Sequence, residues 1–155
     1  MRDSDKTFQE RNTNRINLAE VKAEEYFKKK GVTLVRFGFD EKDPPMQTFE
    51  WFKLPEIVRS SPDFIAIHNE SAFIEVKGFY TTLKIKVHDL IMMNYWDQVM
   101  PLYLYCYDNF DQQGYTIKYQ DLYKQIHVQP VDRYKDNQKV YYKLTKAVLE
   151  EVKSW

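Results

Sequence analysis

Residues 62–77 carry two short apolar runs, Phe64–Ile67 and Ala72–Val76, separated only by His68-Asn69-Glu70-Ser71. Runs of this length and continuity read as strands of a sheet core, and the brief polar link between them reads as a hairpin turn. No other stretch constrains the fold so tightly. A period of two along the second strand sends Phe73, Glu75 and Lys77 to one face, and Ala72, Ile74 and Val76 to the other. Antiparallel pairing then brings Asp63, at the start of the first strand, close to Glu75. Two carboxylates and an ammonium beside apolar strands are costly to bury without a purpose, and hard-cation binding next to a polarising lysine is one such purpose. The competing reading is an edge hairpin whose Glu75 and Lys77 form a solvated ion pair. It requires a half-exposed strand, which the unbroken apolar sequence disfavours.

A chain of 155 residues is expected to form one domain, 1–155, with a genuine hydrophobic core. Lys plus Arg and Asp plus Glu are both 23, so overall charge points to neither nucleic acid nor membrane. Its distribution is more informative. Residues 37–76 hold three basic and eight acidic side chains, whereas residues 118–153 hold eight basic and five acidic. An acidic centre with basic flanks suits a cation site within an anion-binding groove. Cys106 is the only cysteine, which excludes an internal disulfide and a cysteine-based zinc site. No apolar run approaches the roughly 20 residues of a membrane span, and the N-terminus does not read as a secretory signal. A reducing, cytoplasmic setting is therefore expected, either the cell's own or that of a phage-infected host. The glycines form neither a P-loop nor a dinucleotide fingerprint.

Residues 1–13 are polar and are expected to form a flexible arm. A helix is predicted from about Asn14 to Lys30, ending at Gly31, with Ile16, Glu20, Ala23 and Phe27 on its inner face. Glu20 either points into the site from this stripe or reaches water at its rim. Strands are predicted at Val32–Phe37, Phe64–Ile67, Ala72–Val76, Leu102–Tyr107 and Lys139–Leu144. Further helices are predicted at Leu83–Val99 (capped by Thr81 or Thr82, with Ile85, Met92, Trp96 and Val99 on one side), Asp121–Ile126 and Thr145–Lys153. Asp40–Pro55, rich in proline, reads as a long loop or irregular hairpin. The order is that of an α/β layered sheet.

Magnesium takes oxygen ligands and keeps several waters, one of which becomes a usable nucleophile. Asp63 and Glu75 would share the ion. The Val76 carbonyl offers a further ligand, and Glu20 completes the shell or holds a second ion. Lys77 is placed to orient the water or to neutralise transition-state charge.

Pro62-Asp63 followed by Glu75-Val76-Lys77 resembles the signature of the PD-(D/E)XK, or restriction-endonuclease-like, nuclease superfamily. The order of a helix with an inward acid, a strand, the PD strand, the EXK strand, a helix and a strand matches as well. The resemblance spans roughly residues 14–107, leaving 108–155 as a C-terminal extension packed on the core. It implies an αβββαβ core with a mixed central β-sheet flanked by helices. Among superfamily members the chain is similar to small phage and archaeal junction-cutting enzymes, whose first-helix glutamate precedes a glycine as Glu20 precedes Gly31. The resemblance implies that Asp63 and Glu75 bind divalent metal (Mg2+, with Mn2+ as a substitute), that Lys77 is catalytic and that Glu20 is an ancillary acid.

The expected activity is thus Mg2+-dependent hydrolysis of DNA phosphodiesters by metal-activated water, on branched DNA or on a specific duplex site of the homing or restriction type. A homodimer is expected, since two strands are cut with one site per chain. The alternative is a non-catalytic DNA-binding or docking module that keeps the nuclease fold. Around the site, Ser60 and Ser61 either donate to a phosphate or are plain loop residues. Lys84 and Lys86 either contact the DNA backbone or are solvated. Trp51 and Phe52 are candidates for base stacking. His88 is either a base or a packed helix histidine, and Gln98 resembles an extra glutamine of some members. His68 and His127 have no metal-ligand spacing and receive no role.

Overall fold

The computed structural model describes residues 8–39, 43 and 45–154, with side chains from Leu18 onward. Its elements are α1 (Phe8–Lys29), β1 (Thr33–Arg36), α2 (Thr48–Trp51), α3 (Glu56–Arg59), β2 (Phe64–Ile67), β3 (Ser71–Phe79), β4 (Leu83–Lys86), α4 (Val87–Val99), β5 (Leu102–Asp108), β6 (Gln113–Lys118), α5 (Tyr119–Ile126), β7 (Val131–Arg133), β8 (Val140–Leu144) and α6 (Lys146–Val152). The main sheet runs β1-β2-β3-β5-β6, and a second sheet runs β4-β8-β7. In the main sheet β3 and β5 are parallel and the other pairs antiparallel. This is the expected mixed α/β sheet flanked by helices.

The alternation of β3 and β5 divides the core between two faces. Ile74, Val76, Tyr105 and Tyr107 meet Ala19, Ala23 and Phe27 of α1 on one side. Phe73, Leu102, Leu104 and Cys106 meet Leu90 and Met93 of α4, Leu122 and Ile126 of α5, and Leu149 of α6 on the other. Both central strands are covered above and below, which is why their sequences are continuously apolar. α1 ends where Gly31 adopts a φ of +72°, a left-handed turn that costs glycine nothing.

Several expectations need correction. Of the arm expected at 1–13, residues 1–7 lie outside the described residues and 8–13 take helical backbone. Ile16 belongs to the residues whose side chains are not described. The 40–55 stretch contains the short helix α2, and α3 follows it. Leu83–Lys86 is a strand, not the first turn of a helix: Leu83 pairs with Leu144 and Lys86 with Tyr141. The helix starts only at Val87, with Lys86 as N-cap in place of Thr81 or Thr82. Its buried side chains are Leu90 and Met93, whereas Val99 is exposed. The sequence reading also missed β6 and β7, which use β5 and β8 as templates.

Candidate active site

The hairpin register places the acids. Phe64 pairs with Ile74, so the next position along each strand sets Asp63 opposite Glu75. Asp63 is fixed at both its ends. Its backbone carbonyl accepts from Phe37 N–H at 2.9 Å and Gly38 N–H at 3.1 Å, and its Oδ2 accepts from Val76 N–H at 2.8 Å. The approach at Gly38 is so close that a Cβ there would lie 2.6 Å from the Pro62 carbonyl oxygen.

Glu75 and Lys77 share the β3 face turned towards α4, opposite the face that α1 covers. Burial drives the Glu75 carboxyl well above the usual range, and the neighbouring Asp63 charge and hydrogen bond push the same way; Lys77 opposes them. Burial works against charge on Lys77, but Asp89, Glu75 and Asp63 outweigh it and hold the ammonium above its ordinary value. Its Nζ lies 3.3 Å from Asp89 Oδ2. Asp89 is itself held low, because Lys77 and Lys86 overcome the opposing effect of burial. Lys77 is thus a firmly protonated cation, suited to stabilising negative charge and unsuited to accepting a proton.

Glu20 arrives from α1 and meets Arg36 of β1, with Oε2 3.0 Å from Nη1. Burial raises the Glu20 carboxyl and Asp63 adds to this, while Arg36 pulls it back. Arg36 also donates from Nε to the Gly38 carbonyl at 3.1 Å, and its guanidinium lies over the Phe64 ring.

A cleft of about 290 Å³ unites these groups: Glu20, Asp63, Glu75 and Lys77 line it together with Arg36 and Asp89. Trp51, Arg59, Ser60 and Ser61 lie on its wall. Trp51 is half-buried and packs edge-on to Phe39, so it lines the cleft instead of standing free. Ser61 Oγ is occupied by the Val58 carbonyl. Lys84 and Lys86 are not among the cleft residues. They project from the second sheet, with Lys84 Nζ 5.2 Å from the Tyr141 ring centre and Lys86 Nζ 5.7 Å from that of Tyr134. This displacement follows from β4 being a strand. His88 is neither packed nor in the site; its Nε2 meets Glu56 at 2.7 Å on the surface. His127 stacks edge-on to Tyr123, and His68 lines a separate cavity.

Sequence reasoning missed Asp89, Arg36 and Arg59. Asp89 occupies the first turn of α4, where acids are favoured, a signal hidden by placing the helix start at Leu83. Arg36 carried the weaker signal of a charge at the end of a predicted strand. Among the described residues no three His, Cys, Asp or Glu side chains converge as a ready-made cation cage. The opposed pair is Asp63 and Glu75, while Glu20 is engaged by Arg36.

No known family profile matches the chain, and no curated protein sequence does. Solved structures do. The chain is similar to Hjc, a Holliday junction resolvase of the archaeal hyperthermophile Archaeoglobus fulgidus, with a TM-score of 0.54 at 13% identity over 88% of this chain and 88% of that one. It is also similar to a nuclease from a fusselovirus, with a TM-score of 0.50 at 9% identity over 92% of this chain and 86% of the other. These likenesses place the chain in the fold of PD-(D/E)XK-type nucleases. No described helix is long and apolar enough to cross a membrane.

Proposed function

We propose that this protein is a divalent-metal-dependent DNA endonuclease that acts on branched DNA. The observation that carries the reading is the convergence of Asp63, Glu75 and Lys77 in one cleft, with Glu20 on its wall. The donor set suits a hard cation. Asp63 and Glu75 are opposed oxygen donors, and the burial and Asp63 charge that raise the Glu75 carboxyl outweigh the Lys77 ammonium, an imbalance that a cation between the two acids would relieve. These two residues would hold Mg2+ or Mn2+, with the Val76 carbonyl and Glu20 as further donors. A bound divalent cation supplies Lewis acidity and an acidified water.

The remaining work falls to the protein. Lys77, kept charged by Asp89, neutralises negative charge that builds on the phosphate. Arg36 and Arg59 attract the DNA backbone to a cleft whose floor is acidic, and Ser60 adds hydrogen-bonding capacity beside it, the Ser61 hydroxyl being engaged by the Val58 carbonyl. Similarity in fold to a junction resolvase supports branched DNA over a specific duplex site of the homing or restriction type. Symmetric cutting of two strands calls for a homodimer.

The ion pair between Glu20 and Arg36, which leaves no three acids converging among the described residues, favours the rival reading, a DNA-binding module without turnover. Cleavage of four-way junctions, linear duplex and single strands, in Mg2+ or Mn2+ against EDTA, separates the two. Metal-dependent cutting by the wild type, lost in Lys77→Ala, is expected. Binding without cutting in any metal would establish the rival.

A further inference from the structure

The α2–α3 segment, whose Trp51 and Arg59 line the cleft, presents aromatic rings that the core does not use. Phe49 and Phe52, in and just after α2, are 60% and 64% exposed. Each ring has a cation of the same segment over it. Lys53 Nζ lies 5.2 Å from the centre of Phe49, and the Arg59 guanidinium 5.6 Å from that of Phe52. Arg59 also lines the catalytic cleft, so the Phe52–Arg59 pair continues outward from the acids.

The support beneath these rings is tied down. Trp51, between the two phenylalanines in sequence, packs against Phe39. Trp96 Nε1 donates to the Ile57 carbonyl at 3.2 Å, and His88 bridges to Glu56, fastening α3 to α4. Exposed apolar rings on an anchored segment mark a contact surface. The interleaved charges decide the partner. An apolar protein face would bury Lys53 and Arg59 without countercharges, whereas nucleic acid offers a π-face for each ring and a phosphate for each cation.

We propose that the α2–α3 segment recognises a break in DNA stacking, with Phe49 and Phe52 stacking on the bases exposed there and Lys53 and Arg59 taking the flanking phosphates. This rests on the nuclease reading of the same cleft and adds how the substrate is selected. Continuous duplex has no free base face to offer, whereas a branch point does. The segment therefore favours branched DNA and leaves the affinity for intact duplex to the other cleft cations.

The test is binding in EDTA, where no cutting intervenes, to a four-way junction and to a linear duplex of the same sequence. A 2-aminopurine at the branch point reports stacking. The wild type is expected to prefer the junction and to change the probe's fluorescence by stacking on it. The Phe49→Ala/Phe52→Ala variant is expected to lose about tenfold in junction affinity, keep duplex affinity and lose the fluorescence change. Wild-type binding to neither DNA overturns the nuclease reading and this proposal together. Junction preference with no probe response, or with full preference kept by the variant, overturns the proposal alone. So does an equal loss on both DNAs, which would mark a general backbone contact, or a loss of self-association with DNA binding intact. The wild-type probe response stands independently of how well the variant folds.

Discussion

Glu75 and Lys77 stand two residues apart on one strand, and their surroundings drive both towards the protonated form. For Glu75 the first cause is burial, seconded by Asp63. The folded protein holds the Glu75 proton more tightly than the unfolded chain does. In metal-free protein this carboxyl therefore contributes stability at low pH that is lost as pH rises from the ordinary carboxylate range through its raised folded value. Glu75→Gln is expected to raise the melting temperature in EDTA at neutral pH and to abolish any further rise on adding Mg2+, as read by thermal denaturation. Metal binding to the wild type should release a proton and tighten with rising pH, seen as a buffer-dependent heat in titration calorimetry. For Lys77 the expectation concerns rate: Lys77→Ala should cut cleavage by about 100-fold or more while leaving junction affinity in EDTA within a few-fold, since a fixed cation acts mainly on the transition state. Equal losses in affinity and rate would assign Lys77 to substrate binding.

One connection positions this chemistry from outside it, and an ion pair to a buried aspartate braces the sheet further away. The β1–α2 connection passes against the start of β2 at Gly38, whose N–H, with that of Phe37, holds the Asp63 carbonyl. Gly38→Ala must move that backbone, and a cost of about 1–3 kcal/mol is expected in chemical denaturation, with a proportionally larger fall in cleavage as Asp63 shifts. At the far end of β5, Asp108 is fully buried and gathers Thr81 N–H, Phe110 N–H and Lys146 Nζ, tying the β3–β4 turn to α6. Burial opposes its charge, but Lys146 and the two amides prevail and hold it low. Its contribution is accordingly present above the usual aspartate range and lost as pH falls through its depressed value. Lys146→Ala should cost about 2 kcal/mol in denaturant unfolding, less than a wholly buried pair because the lysine reaches water.

At the scale of the whole molecule, one chain carries one Asp63–Glu75–Lys77 set, and symmetric incision of a junction, the activity proposed above, needs two. Sedimentation of the protein at micromolar concentration is expected to show a homodimer, and a persistent monomer that still nicks both arms would remove that requirement. In the main sheet β5 separates β2 and β3, with Asp63 just before the one and Glu75 within the other, from β6, which leads into the base-rich C-terminal segment. Residues 108–154 thus add an edge strand, two helices and most of the second sheet to the fold.

Local rules sufficed for the hairpin: a period of two and a short turn link neighbours in sequence, so Asp63, Glu75 and Lys77 could be assigned to one place before any tertiary contact was known. Both ends of β2 and the C-terminal ends of α1 and α5 were legible from equally local signals, whereas both helices begin earlier than expected, at Phe8 and Tyr119. Leu83–Lys86 was not legible. Its alternation is only four residues long, and its partner β8 lies far along the chain, so the neighbouring helix pattern absorbed it. With that boundary went Asp89, and with it the reason Lys77 stays charged. The pairing of Glu20 with Arg36 likewise depends on how α1 crosses the sheet edge. The sequence alone determined which acids and which lysine share a strand face. Only the tertiary structure decided their charge states, because burial and partners brought from distant elements set the energy of each ion.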